Sequence, residues 1–200
     1  MTRYKRPPAS RLQQGLVLRN VDIPEVHAKR KNAARAKRKN AARASFTTFR
    51  WLIILNQACD LDLDHHARHG TSPVAGGQPV RMDKALRTVL LCPGFPADDV
   101  LNGTYLQPVT HAAEFRGTEQ RMVLSNRHER FHVLEPEEPL LTDRLILDFK
   151  LIVAVAPDYL ERWVRNNAAS RLAVLMPPYR DRLTQRFTNY FNRIAEPDEA

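Results

Sequence analysis

Two hundred residues, 43% hydrophobic and 26% charged, are enough for one folded domain with a sizeable core. No apolar run approaches the roughly 20 residues needed to cross a bilayer. The basic segment at residues 1–14 lacks the apolar stretch of a secretory signal, so a cytoplasmic protein is expected. Two cysteines, Cys59 and Cys92, make no disulfide framework and fit a reducing compartment. The net charge of +9 suggests a polyanionic partner, but it is unevenly placed. Residues 28–43 read AKRKNAAR twice over and hold Lys29, Arg30, Lys31, Arg35, Lys37, Arg38, Lys39 and Arg43 with no acid. Outside them, 23 basic residues face 22 acidic ones, so the body of the protein is nearly neutral.

In chain order, residues 1–14 read as a basic flexible tail before a single α+β domain at 15–196, into which the repeat at 28–43 is inserted. GLVLRNV at 15–21 is a short strand, ended by Pro24. FRWLIIL at 49–55 is a nearly continuous apolar run rich in aromatic and β-branched residues, which predicts a buried strand. If that strand persists to residue 64, Asp60, Asp62 and Asp64 share one face. The glycines, prolines and histidines of 64–81 predict a loop. A second buried strand is expected over 86–92, stopped by Pro93-Gly94. A short helix follows over 97–101, with Gly103 in the left-handed position after it.

Residues 121–124 and 130–134 read as strands around a turn at 125–127, and 145–155 as a third strongly apolar strand. Asp148 interrupts it, and a carboxylate there needs a partner such as Arg144 or Arg121. Pro157 opens a helix to about residue 166. After Pro177-Pro178, Tyr179, Leu183, Phe187, Tyr190, Phe191 and Ile194 recur at helical spacing and predict an amphipathic terminal helix facing the core. Strands first and helices mostly last point to an α+β fold: a small bent antiparallel sheet or SH3-like partial barrel with C-terminal amphipathic helices.

The repeat is rich in helix formers, but eight residues overshoot two helical turns by about 80°. The second copy therefore does not overlay the first, and no apolar face is left to dock. Such a segment is expected to stay solvated. It would add salt-dependent, sequence-independent affinity for RNA or DNA phosphates, and it lacks an aromatic residue to stack on bases. A tandem duplication in a tolerant surface loop is the alternative explanation.

The densest reactive set is Gln57, Cys59, Asp60, Asp62, Asp64, His65 and His66, with His69 just beyond. Cys59 as a nucleophile needs a histidine base, for which His132, His128, His111 and the histidines of the expected loop are all candidates. His132 alternates with Phe131 and Val133 and equally suits a structural role. A metal site drawing on Cys59, an Asp and a His is the alternative, but no spaced Cys/His pairs, HExxH helix, P-loop or GxSxG elbow occurs. No metal or cofactor is assigned.

GLVLRN, FRWLIILNQACDL, LRTVLLCPGF, RHERFHVL, DRLILDFKLIV and the terminal RFTNYFNRI together resemble a group of uncharacterised bacterial proteins. These share a strand ending in Q-x-C-D-[IL] and an R-[FY]-H-x-L strand. The first three strands also resemble the MazF/PemK-type toxin barrel, a family that cuts RNA. That resemblance implies a catalytic match at Arg50 alone. At the end of the third strand the family's Thr is replaced by Cys92-Pro93-Gly94, and the usual Pro after the Arg by Trp51. The resulting expectation is a nucleic-acid-associated protein, a toxin or mobile-element product, with Arg50, Gln57, Cys59, Asp60 and His132 as catalytic candidates and the repeat as the phosphate contact. A metal- or thiol-dependent enzyme centred on Cys59 and Asp60, or a non-enzymatic protein that pairs with itself or another protein, is the alternative.

Overall fold

The computed structural model describes residues 2–7, 11–24, 45–69, 84–108, 110 and 112–192. The repeat at 28–43 with its eight cations, His111, most of the expected loop, and Ile194 lie outside the described residues. The strands are β1 (Tyr4–Lys5), β2 (Leu16–Pro24), β3 (Phe46–Ile54), β4 (Val89–Pro96), β5 (Phe131–Leu134), β6 (Leu145–Asp148), β7 (Val153–Val155) and β8 (Arg171–Leu175). The helices are α1 (Ala58–His69), α2 (Ala97–Leu101), α3 (Gly117–Leu124), α4 (Pro157–Asn166) and α5 (Tyr179–Phe191). All strand pairs are antiparallel, in the order β1-β8-β2-β3-β4-β6-β5, with β7 also on β4. The fold is therefore α+β, as expected, around an open sheet rather than a closed barrel.

Both faces of the sheet are covered, which is why FRWLIIL reads as a nearly continuous apolar run, apart from the exposed Arg50. Leu52 and Ile54 pack with Leu16, Leu18 and Leu91 beneath Leu61 of α1 and Leu160 and Val164 of α4. Trp51, Ile53 and Leu55 face the other way, with Val17, Cys92 and Leu147, beneath Leu183 of α5. Tyr179, Phe187 and Tyr190 of the expected stripe pack there too, whereas Phe191 is exposed. A third cluster joins Phe131, Val133 and Ile146 to Val100 of α2 and Val123 of α3.

Several elements differ from expectation. The strand does not run on through Asp60 to Asp64. Those residues form α1, where Leu61, Asp64 and Ala67 are buried at three-residue spacing, a helical rather than an alternating period. Residues 64–69 of the expected loop belong to it too. Residues 121–124 lie in helix α3, which buries only Val123. The N-terminal segment contributes β1, whose Tyr4 pairs with Leu175 of β8 and is buried. RLAVL at 171–175 was not expected as a strand, yet it sits between β1 and β2. Its length of five residues is easily lost between two helical patterns.

Pro93-Gly94 does not stop β4. On one side β4 pairs with β3 throughout its middle, Pro93 opposite Leu52. On the other side Val89 to Leu91 pair with β7 and Gly94 to Pro96 with β6. Pro93 falls in the gap between those two partners, where its missing N–H breaks no ladder bond. The expected strand over 145–155 is thus two strands on the same neighbour. They are separated by a 3-10 turn at Phe149–Leu151.

Candidate functional site

That turn is organised by Asp148, whose side chain is fully buried. It accepts hydrogen bonds from Arg130 Nε (2.7 Å) and a terminal guanidinium nitrogen of Arg130 (2.6 Å), from the Tyr105 hydroxyl (3.0 Å) and from the Lys150 backbone N–H (3.0 Å). The predicted partners Arg144 and Arg121 are not used, and Arg144 instead pairs with Glu135 at 2.8 Å. Arg130 precedes β5, whose Phe131 lies opposite Asp148 in the ladder, and that register delivers the guanidinium. Burial, with the carboxylate beside it, pushes Tyr105 up to about 12.

Above this network lies a cleft of about 880 Å³. Its walls come from Thr47 to Trp51 of β3, Pro93 to Pro96 of β4, Tyr105 to Gln107, and Lys150 to Val153. Arg50 and Lys150 are exposed cations on two of these walls. The Arg50 guanidinium lies 4.0 Å from the centre of the Trp51 ring, a cation–π contact that fixes its direction. Phe95 stacks edge-on against Tyr105, with ring centres 4.9 Å apart, and closes part of the floor. Asp99 is the one acid among the described lining residues. Thr47 and Thr48 stand at the rim, just after the chain emerges from the repeat, and Thr48 is held by Asp22 at 2.6 Å.

Gln57, Cys59 and Asp60 stay together but elsewhere. From Arg50 to the end of β3 is already about 13 Å of strand. Beyond it Gln57 and Cys59 line a separate, shallower cleft with Gln14, Ala58, Asp181, Thr184 and Gln185. Cys59 Sγ lies 3.6 Å from Gln57 Oε1 and 3.8 Å from Asp60 Oδ1. No histidine is among the described lining residues, so no imidazole faces the thiol there. The Q-x-C-D segment has a structural task in this arrangement. Buried Gln14 accepts from the Ala58 N–H (3.2 Å) and donates to Thr184 Oγ1 (2.8 Å), tying the start of α1 to α5.

His132 is buried on β5 beside α5, in a third cleft with Tyr4, Glu135 and Tyr179. As the alternation predicts, it faces away from Phe131 and Val133. Its ring lies 6.4 Å from that of Phe149. Burial, and then the Arg186 charge, lower it to about 3, so it is a neutral imidazole at ordinary pH. Arg186, the first arginine of RFTNYFNRI, donates to the backbone carbonyls of Asn126, His128 and Phe131 and bolts α5 to β5. The catalytic candidates are therefore divided among three clefts: Arg50 in the largest, Gln57 and Cys59 in the second, His132 in the third.

Sequence reasoning passed over Lys150, Tyr105 and Arg130. The signal for Arg130 was Asp148 itself, a carboxylate in an apolar run; the antiparallel register of β5 on β6 then selects which arginine answers it. No protein-family model matches the chain, and neither a curated protein nor a solved structure does. Among the described residues no helix is long and apolar enough to cross a membrane.

Proposed function

We propose that the protein binds single-stranded nucleic acid, RNA first, in the cleft between β3, β4 and the Phe149–Leu151 turn. The observation that carries this reading is the pairing of two exposed cations, Arg50 and Lys150, on the walls of an apolar, aromatic-floored cleft. Cations along a groove hold phosphates, and aromatic or apolar surface receives bases without demanding a sequence. Chain connectivity adds a second source of charge, because the repeat ends two residues before Ser45 and Thr47 lines the rim. The same cleft contains Arg50, the residue that the MazF/PemK resemblance singles out. Binding is proposed rather than cleavage, since neither a histidine nor a cysteine is among the described residues that line the cleft.

The test is fluorescence anisotropy of a labelled RNA of about ten nucleotides, a length within the site sizes of single-strand binders, titrated at several salt concentrations. Arg50→Ala and Lys150→Ala should each weaken binding and reduce the slope of log affinity against log salt by about 0.7, one phosphate contact each. Wild-type protein that gives no saturable binding, or variants with the wild-type slope, would remove the cleft as the binding site.

A further inference from the structure

In the helical layer over Leu52 and Ile54, α1 and α4 bring together three side chains that the nucleic-acid reading does not use. His65 and His69 are four residues apart on α1, so their rings project from the same side of the helix, with centres 4.5 Å apart. Glu161 of α4 faces both. Its Oε2 lies 3.2 Å from His69 Nε2 and its Oε1 3.9 Å from His65 Nδ1. The three donor atoms all lie within 4.8 Å of one another. Two atoms bound to one tetrahedral metal at 2.0–2.2 Å stand about 3.3–3.6 Å apart, so the 3.2 and 3.9 Å contacts need only small side-chain rotations to fit.

Two features separate this cluster from a chance meeting of surface residues. The Glu161 side chain is only 11% exposed, and His65 Nδ1 is buried with no hydrogen-bond partner. The separation of 3.9 Å from Glu161 is too long for a hydrogen bond, so the carboxylate does not satisfy that nitrogen. A cation between them would satisfy both. The frame around the cluster is also rigid. Arg68 bridges the same two helices, pairing with the buried Asp64 at 2.8 Å and with Asp158 of α4 at 2.6 Å, and donating to the Leu86 carbonyl. Asp64 is held in turn by the Leu86 N–H at 2.7 Å. Leu61, Leu160 and Val164 pack in one cluster beneath this layer. The ligands therefore sit on two helices whose spacing is fixed without them.

We propose that His65, His69 and Glu161 form a site for a divalent transition metal of the zinc class, with solvent completing its coordination. Two imidazoles and one carboxylate are a borderline donor set that suits zinc, cobalt, nickel or ferrous iron over magnesium or calcium, which take oxygen ligands. The residue after the first histidine is His66, where a hydrolytic zinc helix of HExxH type carries its glutamate base. The site thus lacks the general base of that chemistry. Its role is structural: bound metal would reinforce the junction of α1 and α4 that Arg68 and the apolar cluster already set.

The test is calorimetric titration of chelator-treated full-length protein with zinc alone, paired with the absorption spectrum of the cobalt-loaded form. Wild type should bind one equivalent, raise its melting temperature on loading, and show the visible cobalt bands of a four- or five-coordinate site. Glu161→Gln keeps the shape and His69→Ala removes a ligand. Each should weaken zinc binding more than about 100-fold, beyond the 10–100-fold typical of losing a residue that only orients a ligand. Cys59→Ser should bind zinc as wild type does. Absence of equimolar binding overturns the site. So does binding that survives Glu161→Gln and His69→Ala, or binding lost in Cys59→Ser, since the metal would then sit on other ligands. RNA affinity is read separately on the same preparations, so failure of one proposal does not imitate failure of the other.

Discussion

Arg130→Met removes the cation from a carboxylate that has no access to water. Asp148 is 0% exposed and takes two of its four hydrogen bonds from Arg130, at 2.7 and 2.6 Å. Methionine preserves much of the side-chain stem, so the change is chiefly electrostatic. Breaking a buried pair from one side costs about 3–5 kcal/mol, because the remaining charge is left uncompensated. For a chain of this size that is a fall in melting temperature of roughly 6–20 °C. Asp148→Asn should cost less, about 1.5–3 kcal/mol. It leaves no buried charge, and Arg130, whose side chain is 29% exposed, can turn toward solvent. The double variant Arg130→Met/Asp148→Leu should recover most of the loss from Arg130→Met, since neither charge then remains. Urea unfolding monitored by circular dichroism measures all three. A cost under about 1 kcal/mol for Arg130→Met, or a larger loss from Asp148→Asn, would rule out an uncompensated buried carboxylate as the source of the instability.

Other outcomes follow from the same geometry. His132 ordinarily titrates at 6.5 when unfolded but is held at about 3 in the fold, so the unfolded chain binds the extra proton between those values. Its contribution to stability is complete above pH 6.5 and is lost as pH falls toward 3. His132→Gln should therefore flatten the rise of unfolding free energy between pH 4 and 6 by up to about 1.4 kcal/mol per pH unit. Gly103 has a φ of +69°, and a Cβ there would meet the Ala112 carbonyl oxygen at 2.3 Å. Gly103→Ala should cost more than the roughly 1–2 kcal/mol of left-handed strain alone, read from its urea midpoint. Cys59 is exposed, whereas burial pushes the Cys92 thiol up. A thiol reagent at pH 8 should thus label one cysteine in the native protein and two after unfolding. Deleting residues 28–43 removes eight cations. If they all contact RNA phosphates, the salt slope should fall by as much as roughly 5.6; an unchanged slope would make the repeat a bystander.

The sequence by itself determined the elements whose signal is local. Pro157 at the first turn and the spacing of Leu160 and Val164 set α4 at residues 157–166, where it was expected. Gly103 took its left-handed position after α2, and the nearly continuous FRWLIIL run announced a buried strand. Composition likewise showed that the charge belongs to the repeat and not to the domain. Tertiary structure decided what depends on pairing across distance. Pro93 is tolerated because two separate strands share β4, and no local pattern reveals that gap. Arg130 answers Asp148 because the register of β5 on β6 places it there. The histidines of DLDHHARH looked like a loop cluster near a cysteine. Only the packing of α1 against α4 turns two of them toward Glu161, 92 residues from His69, and leaves Cys59 facing a different cleft. NQACDL was the segment most expected to hold chemistry, and in the fold it ties a helix start to α5 through Gln14. Side-chain type marks which residues can react; which of them meet is fixed by the sheet order and the helices laid over it.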